Sequence, residues 1–230
     1  MRSQQVCGRF NLRTNPDEFA EFFAAHVADN DRQLLLRYNI APTQPLLAVR
    51  ETNGQREAVS LLWGLIPSWS KDAKIASRLI NARSETAGTK PSFRAAFKRR
   101  RCLIPASGFY EWDGHVHPKQ PYHITPHNVA LMAFAGLWEH WQPSSGEELE
   151  TCTILTTQAN RTIGTIHDRM PVILGPDEYE DWLREDTPPE HLQKLLRPAT
   201  EDLLDLTPIS TAVNNVRHTG PDCIAPLHAS

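Results

Sequence analysis

Apolar residues along the chain follow two periods, and each period predicts a different kind of element. Phe19, Phe22 and Phe23 recur at helical spacing behind Asn15, Pro16, Asp17 and Glu18. Asparagine caps a helix start, proline suits the first turn, and two acids favour its positive dipole end. A first helix is expected there. Two apolar runs, 46–50 and 58–63, flank Thr52-Asn53-Gly54 and predict a hairpin. Further strands are expected at 101–104, 121–124, 129–137, 152–157 and 172–174. Helical patterns return at 177–184, 191–196 and 200–204. Prolines, 18 of them, punctuate nearly every connection. Strands in the middle with helices at the flanks point to an α+β fold. No internal repeat, low-complexity stretch or dividing linker interrupts the 230 residues, so one domain is expected.

Composition narrows the picture. Hydrophobic residues make up 40% of the chain, enough for a core. No apolar run approaches the roughly 18 residues of a membrane span, and residues 1–5 have no apolar stretch behind them, unlike a secretory signal. Cys7, Cys102, Cys152 and Cys223 are scattered and form no C-x-x-C pair. That spacing supports neither a zinc knuckle nor a thioredoxin motif, so reduced thiols in a cytoplasmic protein are expected, with no metal. No Gly-rich phosphate loop follows a strand, and no cofactor is expected. The net charge is −3, but it is unevenly spread. Residues 71–101 hold ten Lys and Arg against Asp72 and Glu85, a local +8; residues 177–205 hold ten acids against three basic residues, a local −7. A basic stretch can follow phosphates even in an acidic protein, although a solvated face has the same composition.

Four short blocks carry groups able to do chemistry. They are Cys7-Gly8-Arg9-Phe10, Ile80-Asn81-Ala82-Arg83-Ser84-Glu85-Thr86, Ser107-Gly108-Phe109-Tyr110-Glu111-Trp112 and Ile166-His167-Asp168-Arg169-Met170-Pro171. A lone cysteine is ordinarily a small buried hydrophobe, as Cys102 and Cys152 in their strand-like runs illustrate. Cys7 stands apart in a polar context beside Arg9. Glu111 lies among Phe109, Tyr110 and Trp112, and aromatic walls would desolvate its carboxylate and raise its pKa toward neutrality. His167 has a suitable pKa for acid–base work, and Asp168 and Arg169 beside it predict a surface turn. Asparagines such as Asn81 commonly cap loops.

Together and in this order, the blocks resemble the SRAP family, the SOS response-associated peptidases, whose members trap abasic sites in single-stranded DNA. Arg37-Tyr38-Asn39-Ile40-Ala41-Pro42-Thr43-Gln44, Trp63-Gly64-Leu65-Ile66-Pro67-Ser68-Trp69 and Thr211-Ala212-Val213-Asn214-Asn215-Val216 extend the resemblance over nearly the whole chain. It implies a single domain over residues 7–230, with mixed and antiparallel sheets, barrel-like, flanked by helices. It also implies that Cys7 is the N-terminal residue of the active form. Its amine would condense with the aldehyde of a ring-opened deoxyribose to an imine, and its thiolate would close a thiazolidine. By the same resemblance Glu111 moves protons, His167 helps open the sugar ring, and Asn81 positions the cysteine or the deoxyribose. Arg9, Arg83 and Arg169 would contact phosphates, and Trp69 would stack on a base. Trp63, ending an apolar strand, belongs to the core, and Lys98-Arg99-Arg100-Arg101 would extend the basic face. The implied partner is single-stranded DNA containing abasic sites, or a junction of single strand with duplex. The protein would act as a monomer in the cytoplasm, at the nucleoid through its DNA and away from membranes.

Two other readings compete. One is a cysteine peptidase using Cys7, His167 and an amide or carboxylate, although Cys-Gly-Arg-Phe is not the papain-type pattern. In the family, peptidase action is best viewed as self-removal of the leader. The other is a non-covalent binder of damaged or modified DNA. The sequence departs from the family at one point, because six residues precede Cys7 and acylate its nitrogen. Either a leader of residues 1–6 is removed autocatalytically, or translation starts at Val6, read as Met from a codon such as GTG. The second is favoured, because residues 1–5 have no recognisable targeting or folding role.

Overall fold

A computed structural model of the chain describes residues 7–143, 146 and 148–227. The expected leader, residues 1–6, lies outside the described residues. In chain order the strands are β1 (Phe10–Arg13), β2 (Leu36–Ile40), β3 (Pro45–Thr52), β4 (Gln55–Trp63), β5 (Asn81–Arg83), β6 (Arg101–Ala106), β7 (Gly108–Asp113), β8 (Gln120–Pro126), β9 (Met132–Trp141), β10 (Leu149–Gln158), β11 (Arg169–Pro171), β12 (Ile173–Leu174) and β13 (Leu204–Pro208). The helices are α1 (Pro16–Phe23), α2 (Ser84–Ala87), α3 (Arg94–Arg99), α4 (Tyr179–Leu183) and α5 (Pro189–Leu195). The fold is α+β and forms a single domain.

Local chemistry explains the first elements. The Asn15 side chain accepts from the N–H groups of Asp17 and Glu18, both at 3.0 Å, and starts α1. The helix buries Phe19 and Phe23 and stops at Ala24, whose φ is 52°. The expected hairpin is β3–β4, with Thr52 opposite Gln55. Asn53 (φ 53°) and Gly54 (φ 75°) form its tight turn, the left-handed pair that matches strand twist.

Two sheets make the frame. One has the order β13-β8-β7-β1-β2, and the other β11-β10-β4-β3-β6-β9-β12, with β5 alongside β10. An additional β9–β10 pairing closes β10, β4, β3, β6 and β9 into a ring. This ring is what the barrel-like expectation becomes. It is not a full barrel, because its ladder thins at two seams: β3 meets β6 at Val49↔Leu103 alone, and β4 meets β10 at two positions. Phe10 of β1 packs edge-on against Trp63 and Phe134 at 5.2 and 5.9 Å, and Phe109 of β7 meets Phe134 at 5.8 Å. These rings join the first sheet to the ring sheet. Trp63 is fully buried, as expected, and donates its indole N–H to the Ile80 carbonyl at 2.9 Å.

Several expectations need correction. Residues 200–204 are not a helix; they turn into β13, which gains a ladder on β8 that a five-residue helix could not match. The expected strand at 129–137 begins only at Met132, because the chain turns at Asn128 (φ 61°) and leaves Val129 exposed. The Lys98–Arg101 run is not one basic face. Arg101 is buried, and its guanidinium donates to the carbonyls of Trp182, Phe97, Lys98 and Arg184. Arg100 is ion-paired to Glu139 at 2.7 Å. No helix among the described residues is long and apolar enough to cross a membrane.

Gly64 follows Trp63 at φ 135°, and a Cβ there would lie 2.6 Å from the Ala76 carbonyl oxygen. The strand exit of β4 thus requires glycine. Gly64→Ala is expected to destabilise the fold by roughly 2 kcal/mol. Thermal denaturation should register this as a drop of roughly 4–8 °C, and an unchanged melting temperature would remove the constraint.

Candidate functional site

Two strand alignments gather the four blocks. In the first sheet, β1 runs antiparallel to β7, with Phe10 opposite Phe109 and Asn11 opposite Gly108. The Tyr110 N–H donates to the Arg9 carbonyl at 3.0 Å, so the chain before β1 continues along Glu111. There the Cys7 backbone N–H donates to Glu111 Oε1 at 2.5 Å. Cys7 is fully buried and its φ of 42° is rare for a side-chain-bearing residue. In the second sheet, β10 lies between β5 and β11. Asn81, Ala82 and Arg83 pair in parallel with Ile154, Leu155 and Thr156, while Thr156, Thr157 and Gln158 pair antiparallel with Pro171, Met170 and Arg169. The Asn81 and His167 blocks therefore flank one strand. The two halves meet electrostatically, since the charges of Asp168 and Lys119 act on both Glu111 and His167.

Burial sets the protonation states. Glu111 is 2% exposed, and desolvation pushes its carboxyl up to about 8, against the opposing pull of the Cys7 and Trp112 N–H groups. Asp168 adds to the rise and Lys119 reduces it. The aromatic walls read from the sequence account for only part of this. Strand alternation sends Tyr110 and Trp112 to the opposite face, where they pack with Ile209, Val213 and Cys223. Burial also pushes the Cys7 thiol well above its ordinary value, and Glu111 raises it further. The resting sulfur is a thiol rather than the thiolate expected for ring closure. The expected surface turn is the exposed bend at Asp168, but His167 beside it is buried, and burial lowers its pKa although Asp168 raises it. His167 Nδ1 faces the Arg169 N–H at 3.1 Å and two acceptors, the Arg169 carbonyl and Asp168 Oδ1, both at 3.3 Å.

The expected DNA contacts divide into two groups. Trp69 is 60% exposed and Arg83 is exposed at the end of β5. Arg169 instead turns inward to a bidentate pair with Glu85 at 2.5 and 3.0 Å and to the Thr156 carbonyl at 2.6 Å. Arg9 donates to Asn39 Oδ1 and the Val213 carbonyl, both at 2.8 Å, and lies over the Trp112 ring at 5.7 Å. Asn81 is half-buried at the start of β5. Among the described residues no three His, Cys, Asp or Glu side chains converge as a metal would require.

Three supporting residues lie outside the candidate site read from the sequence, which left His123 as a structural histidine. Asn39 is buried and its amide donates to the carbonyls of Val213, Asn215 and His218 at 3.3, 3.1 and 2.8 Å. It ties the Thr211–Asn214 turn to the start of the chain. Asn11 and His123 pair at 2.8 Å beneath Tyr110, with burial holding the His123 ring neutral at a pKa of about 4. Asn39 lies in a block already quoted, so its type was visible; its buried position was not.

Comparison with known proteins agrees over most of the chain. Residues 6–216 match the family model described as SOS response associated peptidase (SRAP). Abasic site processing protein YoqW of Bacillus subtilis (strain 168) is 40% identical over 222 residues, covering 95% of this chain and 99% of that protein. Abasic site processing protein HMCES of Gallus gallus is 36% identical over 200 residues, covering 76% of this chain but only 59% of that longer protein. The crystal structure of a protein from Bacteroides thetaiotaomicron aligns with a TM-score of 0.88 at 26% identity, over 96% of this chain and all of that one.

The raised Glu111 pKa has a signed consequence. The folded protein keeps this proton up to about pH 8, whereas a glutamate in water loses it near 4.5. The folded state binds more protons between those values, so this contribution is fully present below about pH 4.5 and is lost as pH rises through 8. Glu111→Gln keeps an oxygen for the Cys7 N–H but does not titrate. Its melting temperature should therefore gain on the wild type from about pH 5 to 8; parallel curves would mean that Glu111 ionises normally.

Proposed function

The chain belongs to the SRAP family, and from that premise we propose that it senses abasic sites in single-stranded DNA and holds them covalently through Cys7. The 2.5 Å contact from the Cys7 nitrogen to the Glu111 carboxyl carries this reading. It brings a buried proton-handling group against the atom that must act as nucleophile. Relatives named as abasic site processing proteins support the substrate class.

The reactive form begins at Cys7, because a peptide nitrogen cannot form an imine. A free α-amine has an ordinary pKa near 8, and here it would lie against a carboxyl that burial pushes upward. The two groups then titrate as a pair and exchange a proton near neutrality. His167, held neutral by burial, assists opening of the deoxyribose ring, which exposes the C1′ aldehyde. The neutral Cys7 amine adds to that carbon, and the resulting carbinolamine loses water, with Glu111 supplying the proton to the leaving hydroxyl, to give the protonated imine. The Cys7 thiol gives its proton to the Glu111 carboxylate, and the sulfur adds to the imine carbon. The electron pair of the C=N bond returns to nitrogen, which keeps its hydrogen as the neutral five-membered thiazolidine closes. A resting thiol beside a carboxyl supports this sequence better than a general peptidase, which relies on a thiolate–imidazolium pair. Asn81 positions the sugar or the cysteine. Arg83 takes a phosphate and Trp69 stacks on a base, whereas Arg9 and Arg169 hold the walls of the site through their internal partners. Self-removal of the leader, acting once at the Val6–Cys7 bond, is the peptidase activity that fits this arrangement.

A chain that starts Met-Cys7, from which methionine is removed, should give a stable adduct with abasic single-stranded DNA without borohydride. The 230-residue form should bind but not crosslink unless its leader is removed. General substrate cleavage would favour the peptidase, and reversible binding alone would favour the non-covalent binder. An adduct from chains that mass spectrometry finds intact at Val6–Cys7 would sink the amine mechanism.

Arg83→Ala should weaken single-strand binding and reduce the log–log salt slope by about 0.7, the value for one lost phosphate contact. Because Glu85 is paired with Arg169, Arg83 is not needed to hold that carboxylate. An unchanged slope would assign it a structural place.

A further inference from the structure

The two arginines nearest the reactive groups in sequence, Arg9 and Arg169, both have their guanidinium groups engaged inside the protein. A DNA strand entering the site needs a cation that is still available there. Lys119 meets that need. It lies in the exposed 115–119 segment leading from β7 into β8. The register places Glu111, Trp112 and Asp113 opposite Tyr122, Pro121 and Gln120, so Lys119 comes immediately beyond the strand pair that carries Glu111. Its ammonium makes no hydrogen bond or ion pair among the described residues. Its field nonetheless reaches both Glu111 and His167, which lie on different sheets. The register therefore puts this exposed cation next to the strand pair that carries Glu111, where its charge acts on both proton-handling groups.

We propose that Lys119 is a phosphate-binding residue of this site, taking the backbone phosphate beside the abasic sugar. The assignment rests on the DNA reading above and deepens it. An ammonium on a flexible stem suits this place, because it can follow a backbone phosphate as the sugar ring opens, whereas an arginine fork fixes one geometry. With Arg83 on β5, it would hold the strand from both sheets.

The test uses binding rather than crosslinking. The probe is a single-stranded oligonucleotide carrying a tetrahydrofuran site, which has no aldehyde and cannot form the adduct. Affinity is measured across a salt series for the wild type, Lys119→Ala, Lys119→Arg and Lys194→Ala. Lys119→Ala should bind more weakly, with a log–log slope reduced by about 0.7. Lys119→Arg should keep the wild-type slope, and Lys194→Ala, exposed on α5 in the acidic stretch, should be indistinguishable from wild type. Wild-type binding with an unaltered Lys119→Ala slope would overturn the Lys119 assignment alone. Failure of the wild type to bind the oligonucleotide would overturn the DNA reading and the assignment with it. Equal melting temperatures for the wild type and Lys119→Ala would exclude a structural cause for the reduced slope.

Discussion

A carboxyl group taken out of water must either be neutralised or be given donors, and the site is organised around how Glu111 meets that demand. Its donors are backbone N–H groups, one of them from Cys7, and they only partly offset the desolvation. The carboxyl therefore stays poised near neutrality instead of becoming a fixed anion. Everything that keeps water away also holds this balance. Phe10 and Phe109 pack on Phe134 of the ring sheet, and Asn11 and His123 brace β7 from behind. A loose fit at any of these places would admit water and return Glu111 to an ordinary acid.

The two sheets divide the work. The first carries the nitrogen, the thiol and the carboxyl on neighbouring segments, so their spacing is fixed by a strand ladder. The second carries Asn81, Arg83 and His167 on either side of β10. Glu85 and Arg169 bridge across that strand and fix the relation of its two flanks. Arg169 has 12% of its side chain exposed and Arg9 is half-buried, and both have lowered freedom to meet a ligand. Their arginine character serves multidentate bonding within the fold, a use the fork geometry suits as well as it suits phosphate.

The legible parts of the fold were those with a clean period. The first helix and the β3–β4 hairpin follow directly from capping, aromatic spacing and an Asn-Gly turn. The strands β1, β2 and β7 were not legible as strands, because polar residues sit at positions the fold buries, and β5 and β11 were not because each is only three residues long. Asn11, Asn39 and Glu111 are all buried, so alternation of polar and apolar residues breaks down where the chemistry lies. The reactive blocks stood out for the same reason, as polar groups in unusual company. What single residues could not reveal was partnership. An arginine destined for Glu85 looks like one destined for phosphate, and Lys119 looks like any surface lysine until its two neighbours are placed.

The Asn39 clamp also bears on the order of events during synthesis. Asn39 binds carbonyls at Val213, Asn215 and His218, and Arg9 binds Val213 as well. Contacts so far apart in sequence close late, after most of the chain has emerged from the ribosome. The segment that carries Cys7 therefore cannot be locked against its final neighbours until nearly the whole protein exists. Until then the carbonyls that Arg9 and Asn39 bind are missing. The long-range clasp thus leaves the front of the chain open until synthesis is nearly complete.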